Sequence, residues 1–125
     1  MADNLARAEA MITAYNAQDF VAMESQIAAD VDFAHFNRNF VLTSRDELIG
    51  VLRQFASNCI PDRHFEPAER IFAVDDTVVR IGWYVGTCAI DLDGFGKAGQ
   101  AFRLKFCSVL RFNDAGIIIA WQDFG

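Results

Sequence analysis

The segment Ile117 to Gly125, IIIAWQDFG, places Asp123 two residues after Trp121. In an extended strand those two side chains leave on the same side, so a carboxylate points where an indole points. Taking that charge out of water costs several kcal/mol unless it is paired. Arg80, in TVVRIGWYVGT, shares a phase with Gly82 and Tyr84 and is the natural partner, because a guanidinium can grip a carboxylate through two parallel hydrogen bonds. His35, in DFAHFNRN, is in phase with Phe33. A histidine titrates near neutrality and can act as acid or base, a role worth roughly 10²- to 10⁴-fold in rate. His64 stands between Pro61 and Pro67. Asp123, Arg80, His35 and His64 are the candidate catalytic groups, and their chemistry is proton transfer.

Other chemistries find little support. The two histidines have no HxH or HxxxH spacing, and Cys59, Cys88 and Cys107 form no CxxC pair, so no metal site is expected. Three unpaired cysteines suit reduced thiols in a cytoplasmic protein. GFGKAG lacks the GxGxxG pattern and the helix that should follow it. Cofactor-free chemistry is what remains. A formal net charge of -6 disfavours nucleic acid, which demands clustered Lys and Arg. MADNLARAEA has no apolar signal region, and no segment is long and apolar enough to span a bilayer. The chain reads as unexported and free of membrane.

The elements that must position these groups follow from periodicity. At 125 residues the chain is one domain, residues 1–125. Asp3 can cap a helix over 4–17, with Leu5, Ala8, Ile12 and Tyr15 at helical spacing. Asp19 can cap a second helix carrying Phe20, Met23 and Ile27. From Val31 the period becomes two. Ser44 and Glu47 have capping-box spacing ahead of Leu48, Leu52 and Phe55, the stripe of a third helix. Beyond NCIPDRH everything reads as strand, punctuated at VDD, LDGFGKAGQ and NDAG. Three helices before a meander of long strands predict an α+β fold with helices on one side of an antiparallel sheet.

Hydrophobic residues make up 53% of the chain and include twelve phenylalanines, more than a solvent-facing fold needs. Two strands look apolar on both sides. Ile81, Trp83, Val85, Val109 and Ile118 fall on the phase away from the helices, and a monomer rarely leaves such a patch bare. A homodimer through this outer sheet face is expected.

Three stretches, AYNAQDFVAMESQIAADVDF, SRDELIGVLRQF and SVLRFNDAGIIIAWQDF, together with the apolar-Trp-x-Asp-aromatic ending, resemble the nuclear transport factor two-like, or SnoaL-like, superfamily. It includes SnoaL-like cyclases, ketosteroid isomerase, limonene epoxide hydrolase and scytalone dehydratase. The resemblance covers essentially the whole chain. It implies a cone of three N-terminal helices on a strongly curved, mainly antiparallel sheet, whose open end admits a small apolar ligand.

By that resemblance His35 occupies the place of the isomerase's general base, while its partner acid is Ser108 here and its helix-one tyrosine falls near Met11. Of the epoxide hydrolase constellation, Arg80 and Asp123 match and the intermediate aspartate is Gly82. His64 corresponds to the histidine of scytalone dehydratase, whose helix-one tyrosine and aspartate are replaced by Ile12 and Thr13. Phe33, Phe55, Tyr84, Phe106, Ser108 and Trp121 are the candidate substrate-binding wall. Asn37 and Arg38 read as solvated groups at the strand's end. The implied function is a cofactor-independent isomerase, dehydratase or hydrolase acting on a small apolar oxygen-bearing molecule. The missing acids at Gly82 and Ser108 leave a non-catalytic binding or accessory protein of the same fold as the alternative.

Overall fold

The computed structural model describes residues 3–125. Helix α1 spans Asn4–Asn16, α2 Phe20–Gln26 and α3 Arg45–Gln54. The strands are β1 Ile27–His35, β2 Phe40–Leu42, β3 His64–Phe65, β4 Arg70–Val74, β5 Thr77–Thr87, β6 Ala101–Phe112 and β7 Ile118–Phe124. They form one curved sheet in the order β2-β1-β7-β6-β5-β3, with β4 sharing the free edge of β5 beside β3. Every pairing is antiparallel except β1 with β7. The α+β cone and its three helices agree with the sequence pattern.

Local chemistry explains most helix ends. The Asp19 carboxylate accepts the Ala22 amide at 3.1 Å, and the Ser44 hydroxyl accepts the Glu47 amide at 3.3 Å. Asp3 precedes α1 without such a bond, because its φ/ψ of -164/34 is not the extended conformation that aims a capping oxygen at the next turn. Ile27 does not extend α2. It turns to φ -118, ψ 137 and begins β1, opposite Ile118.

Helices and sheet close over one core. Ala8, Met11, Ile12 and Tyr15 of α1, Met23 of α2, and Leu48 and Leu52 of α3 are buried against Val78, Leu110, Phe112 and Trp121 of the sheet. The strands alternate as read: Arg80, Gly82 and Tyr84 are buried with Phe106, Ser108 and Leu110, while Ile81, Trp83, Cys107 and Val109 are half-buried on the outer face.

Ile118 departs from this. It is fully buried in the core and not on the outer face. Opposite Arg111 and Phe112 of β6 the register shifts so that β7 carries an extra residue between Ile118 and Ala120, and the β1 register is irregular between Ile27 and Asp32; together these reverse the phase at the start of β7. Beyond the bulge the phase recovers, and Trp121 and Asp123 both face inward.

Candidate functional site

Between α1, α3 and the inner sheet face lies a cavity of about 260 Å³. Phe33, Leu48, Leu52, Phe65, Phe106 and Trp121 make its apolar wall, and Phe40, Val51, Phe55, Leu92, Asp93 and Phe95 stand towards its mouth. Tyr15, His35, Arg38, Tyr84 and Asp123 supply its polar groups.

The register arranges four of the sequence candidates in a single rank across the sheet. His35 of β1 stands opposite Asp123 of β7, Asp123 opposite Ser108 of β6, and Ser108 opposite Arg80 of β5. Asp123 is buried and accepts a hydrogen bond from Trp121 Nε1 at 3.0 Å, so the indole two residues back holds the carboxylate. Burial pushes its pKa up to about 6; hydrogen bonds from Ser108 and Trp121 and the charges of Arg38 and Arg80 oppose the rise without cancelling it. Such a group exchanges a proton close to neutral pH.

Beside it, His35 Nε2 lies 2.9 Å from Arg38 Nη1. A guanidinium only donates, so this shorter contact calls for an unprotonated Nε2 with the proton on Nδ1, while the Gly125 main-chain oxygen, 3.4 Å from the same nitrogen, favours the opposite tautomer. Burial first, then the Arg38 charge, lowers the His35 pKa below its ordinary value, so the ring is a neutral imidazole at pH 7. It packs edge-on against Phe106 with centroids 4.9 Å apart.

The Tyr15 and Tyr84 hydroxyls meet at 2.7 Å. Burial raises Tyr15 to about 12 and Tyr84 well above its usual range, so both remain neutral. In such a pair one hydroxyl donates to the other, whose own proton is free for a ligand oxygen. Phe65 and Phe106 hold the Tyr84 ring at 4.8 and 5.1 Å, and Arg63 stacks over Tyr15 at 4.0 Å while donating to the Tyr15 carbonyl.

Arg80 does not pair with Asp123. It lies two strands away, a separation of roughly 10 Å at the backbone, and its side chain turns in the other direction. Its Nη2 donates to the Glu66 carbonyl at 2.6 Å, its Nε lies 3.9 Å from Glu9, and it stacks over Phe65 at 5.4 Å. The guanidinium passes over Gly82, where a Cβ would come within 2.8 Å of Nη1, so an aspartate at that position has no room while Arg80 holds this pose. Ser108 sits under Asp123 and does not reach the cavity wall. His64 is exposed on β3, with Nδ1 3.1 Å from the Asp62 carbonyl, and does not line the cavity. Phe33, Phe55, Tyr84, Phe106 and Trp121 do line it.

Arg38 and Tyr15 bring polar groups to the cavity that the sequence pattern did not single out for it. Phe36–Arg38 forms a single 3-10 turn closed by Asn39 at φ 53, and this folds Arg38 back over His35. The spacing of three from His35, ahead of an asparagine that tolerates the left-handed region, was the available signal. Tyr15 lay in the buried stripe of α1, where its hydroxyl marked it as the one polar tip. Among the described residues no three His, Cys, Asp or Glu side chains come together as metal ligands would, and no helix is long and apolar enough to cross a membrane.

Known structures repeat this architecture. A candidate polyketide cyclase of Xanthomonas campestris pv. campestris superposes with a TM-score of 0.82 at 18% identity, over 98% of this chain and 89% of that one. A protein of ketosteroid isomerase-like fold from Catenulispora acidiphila gives 0.78 at 18%, over 95% and 84%. An LEH-like epoxide hydrolase of M. tuberculosis gives 0.76 at 17%, over 97% and 80%. At such identities the likeness is one of fold. No curated protein matches the sequence. The family model of the SnoaL-like domain, however, matches residues 8–121, nearly the whole length, and the chain belongs to that family.

Proposed function

We propose that this protein is a cofactor-independent acid-base enzyme acting on a small, largely apolar, oxygen-bearing molecule held in the cone. One observation carries the reading: a buried carboxylate, Asp123, with a pKa of about 6, at the end of an aromatic-walled cavity and in register with a neutral imidazole. Above pH 6 the carboxylate can take a proton from carbon next to a substrate carbonyl. The electron pair moves onto the carbonyl oxygen, which the free hydroxyl proton of the Tyr15–Tyr84 pair would meet. Return of the proton to a different carbon is isomerisation; departure of a hydroxyl at the next carbon is dehydration. His35 would carry the proton between positions, and Arg38 keeps its ring neutral and oriented. Arg80 serves the frame of the site and does not touch the ligand.

The test uses 2-tetralone, a bicyclic ketone with exchangeable α-protons, in D₂O followed by NMR. The protein accelerates exchange over buffer, and Asp123→Asn lowers that acceleration by roughly 10²- to 10⁴-fold. If the wild type gives no acceleration, or if Asp123→Asn and His35→Ala both stay within twofold of it, the acid-base assignment is wrong and the cone is a passive binding site.

We also infer a homodimer through the outer sheet face. Phe72, Val79 and Val109 form one cross-strand row there, with Ile81 beside them, and Phe72 is exposed. Trp83 is partly screened by its own neighbours, donating to Glu69 at 2.8 Å beneath Arg103 at 4.1 Å, so the apolar band is narrower than the sequence suggested.

A further inference from the structure

Arg38 is the one cation among the residues that line the cavity, and none of the ion pairs among the described side chains includes it. Its hydrogen bonds can be followed proton by proton. Nη1 donates to His35 Nε2 and to the Gly125 main-chain oxygen, which uses both of its protons. Nη2 donates to the Gly94 carbonyl at 2.8 Å, leaving one proton. Nε is buried and has no acceptor at all. Nε and Nη2 present their protons along one edge of the planar group, the edge that receives a carboxylate in two parallel bonds.

Aromatic rings fix the guanidinium without neutralising it. Phe95 lies 4.4 Å and Phe106 5.7 Å from its centre. The Nε–Nη2 edge is covered by Gly94, whose carbonyl takes one Nη2 proton and where a Cβ would come 3.1 Å from Nε. Gly94, at φ +84, is the tip of a tight turn closed by the Leu92–Gly96 bridge, and Leu92, Asp93 and Phe95 of that turn line the cavity mouth. Arg38 is half-buried, so its charge is only partly desolvated, and it is the arginine with an unmet N–H that lines the cavity.

We propose that Arg38 is a specificity-determining residue, and that the ligand of the cone is an apolar molecule bearing a carboxylate. Its two oxygens engage Nε and Nη2, the tip of the 92–96 turn yields the Gly94 contact, and the apolar body lies along Phe33, Leu48, Leu52 and Trp121. The proposal rests on the cone being a ligand site and not on Asp123 being its base.

The experiment compares two probes of nearly equal shape, 1-naphthylacetate and 1-naphthylacetamide, by calorimetric titration of the intact protein. The acid binds about tenfold or more tightly than the amide, the margin a charge-assisted bidentate contact supplies. Arg38→Met abolishes the difference, and Arg38→Lys, which keeps the charge and loses the fork, restores only part of it. Equal binding of acid and amide to the wild type, no binding of the acid, or an acid preference that survives in Arg38→Met overturns the proposal. The first two readings need no variant and hold even where Arg38 substitutions fold poorly. A wild type that shows no acid preference but intact ketone exchange discards the anchor and keeps the acid-base reading; a wild type with the preference and no exchange keeps the anchor alone.

Discussion

His35 and Asp123 face each other across the parallel pairing of β1 and β7, both turned towards the cavity. One is a base made weaker by its surroundings and the other an acid made weaker by its own, and burial leads in both cases. Their charged forms are disfavoured together, so the rank holds two groups whose neutral forms are favoured side by side. The consequences can be measured.

Asp123 is held protonated in the folded chain up to about pH 6, whereas the unfolded chain releases that proton near pH 3.8. Between those values the folded state binds more protons, so stability falls as pH rises. Above pH 6 the full cost of the buried charge is present, on the order of 3 kcal/mol. Asp123→Asn, which keeps an acceptor for Trp121, raises Tm at pH 7.5 relative to the wild type. The gain shrinks as pH falls and disappears near pH 4. Thermal unfolding of both proteins across that range checks it.

The Arg38 charge is the second cause of the low His35 pKa. Arg38→Met therefore raises the midpoint of His35 in an NMR titration, towards the ordinary histidine value but short of it, since burial remains. An unchanged midpoint would mean that the two groups do not meet in solution.

Arg80→Met loses the guanidinium over Phe65 and its bond to the Glu66 carbonyl. Tm drops by a few degrees, corresponding to ~1 kcal/mol. Ketone exchange stays within about threefold of wild type, because Arg80 reaches Asp123 only through its distant charge. Loss of exchange comparable to that of Asp123→Asn would return Arg80 to the reacting groups.

Val109→Arg places a charge in the outer apolar row. Sedimentation at low micromolar concentration then shows a monomer where the wild type shows a dimer. A monomeric wild type contradicts the dimer.

Sequence pattern carried the architecture and the inward phase of Trp121 and Asp123 because alternation is strict along QDF and RLKFCSVLRF. It failed at Ile118 for a physical reason: in GIIIAW either phase is apolar, so a bulge leaves no mark in composition. It placed Arg80 on the correct face but could not set its distance from Asp123, because phase is silent on how many strands intervene. Arg38 was hidden by conformation, since a 3-10 turn and not strand geometry brings it back to His35. Pairing order and turn geometry are long-range outcomes, and they decide which groups of a rank meet.

The most direct measurement is the titration of the Asp123 carboxyl carbon by ¹³C NMR, assigned by its loss in Asp123→Asn. A midpoint of about 6 is the result this structure requires. A midpoint below about 4, in the ordinary aspartate range, would show a hydrated carboxylate and leave the cone without its base.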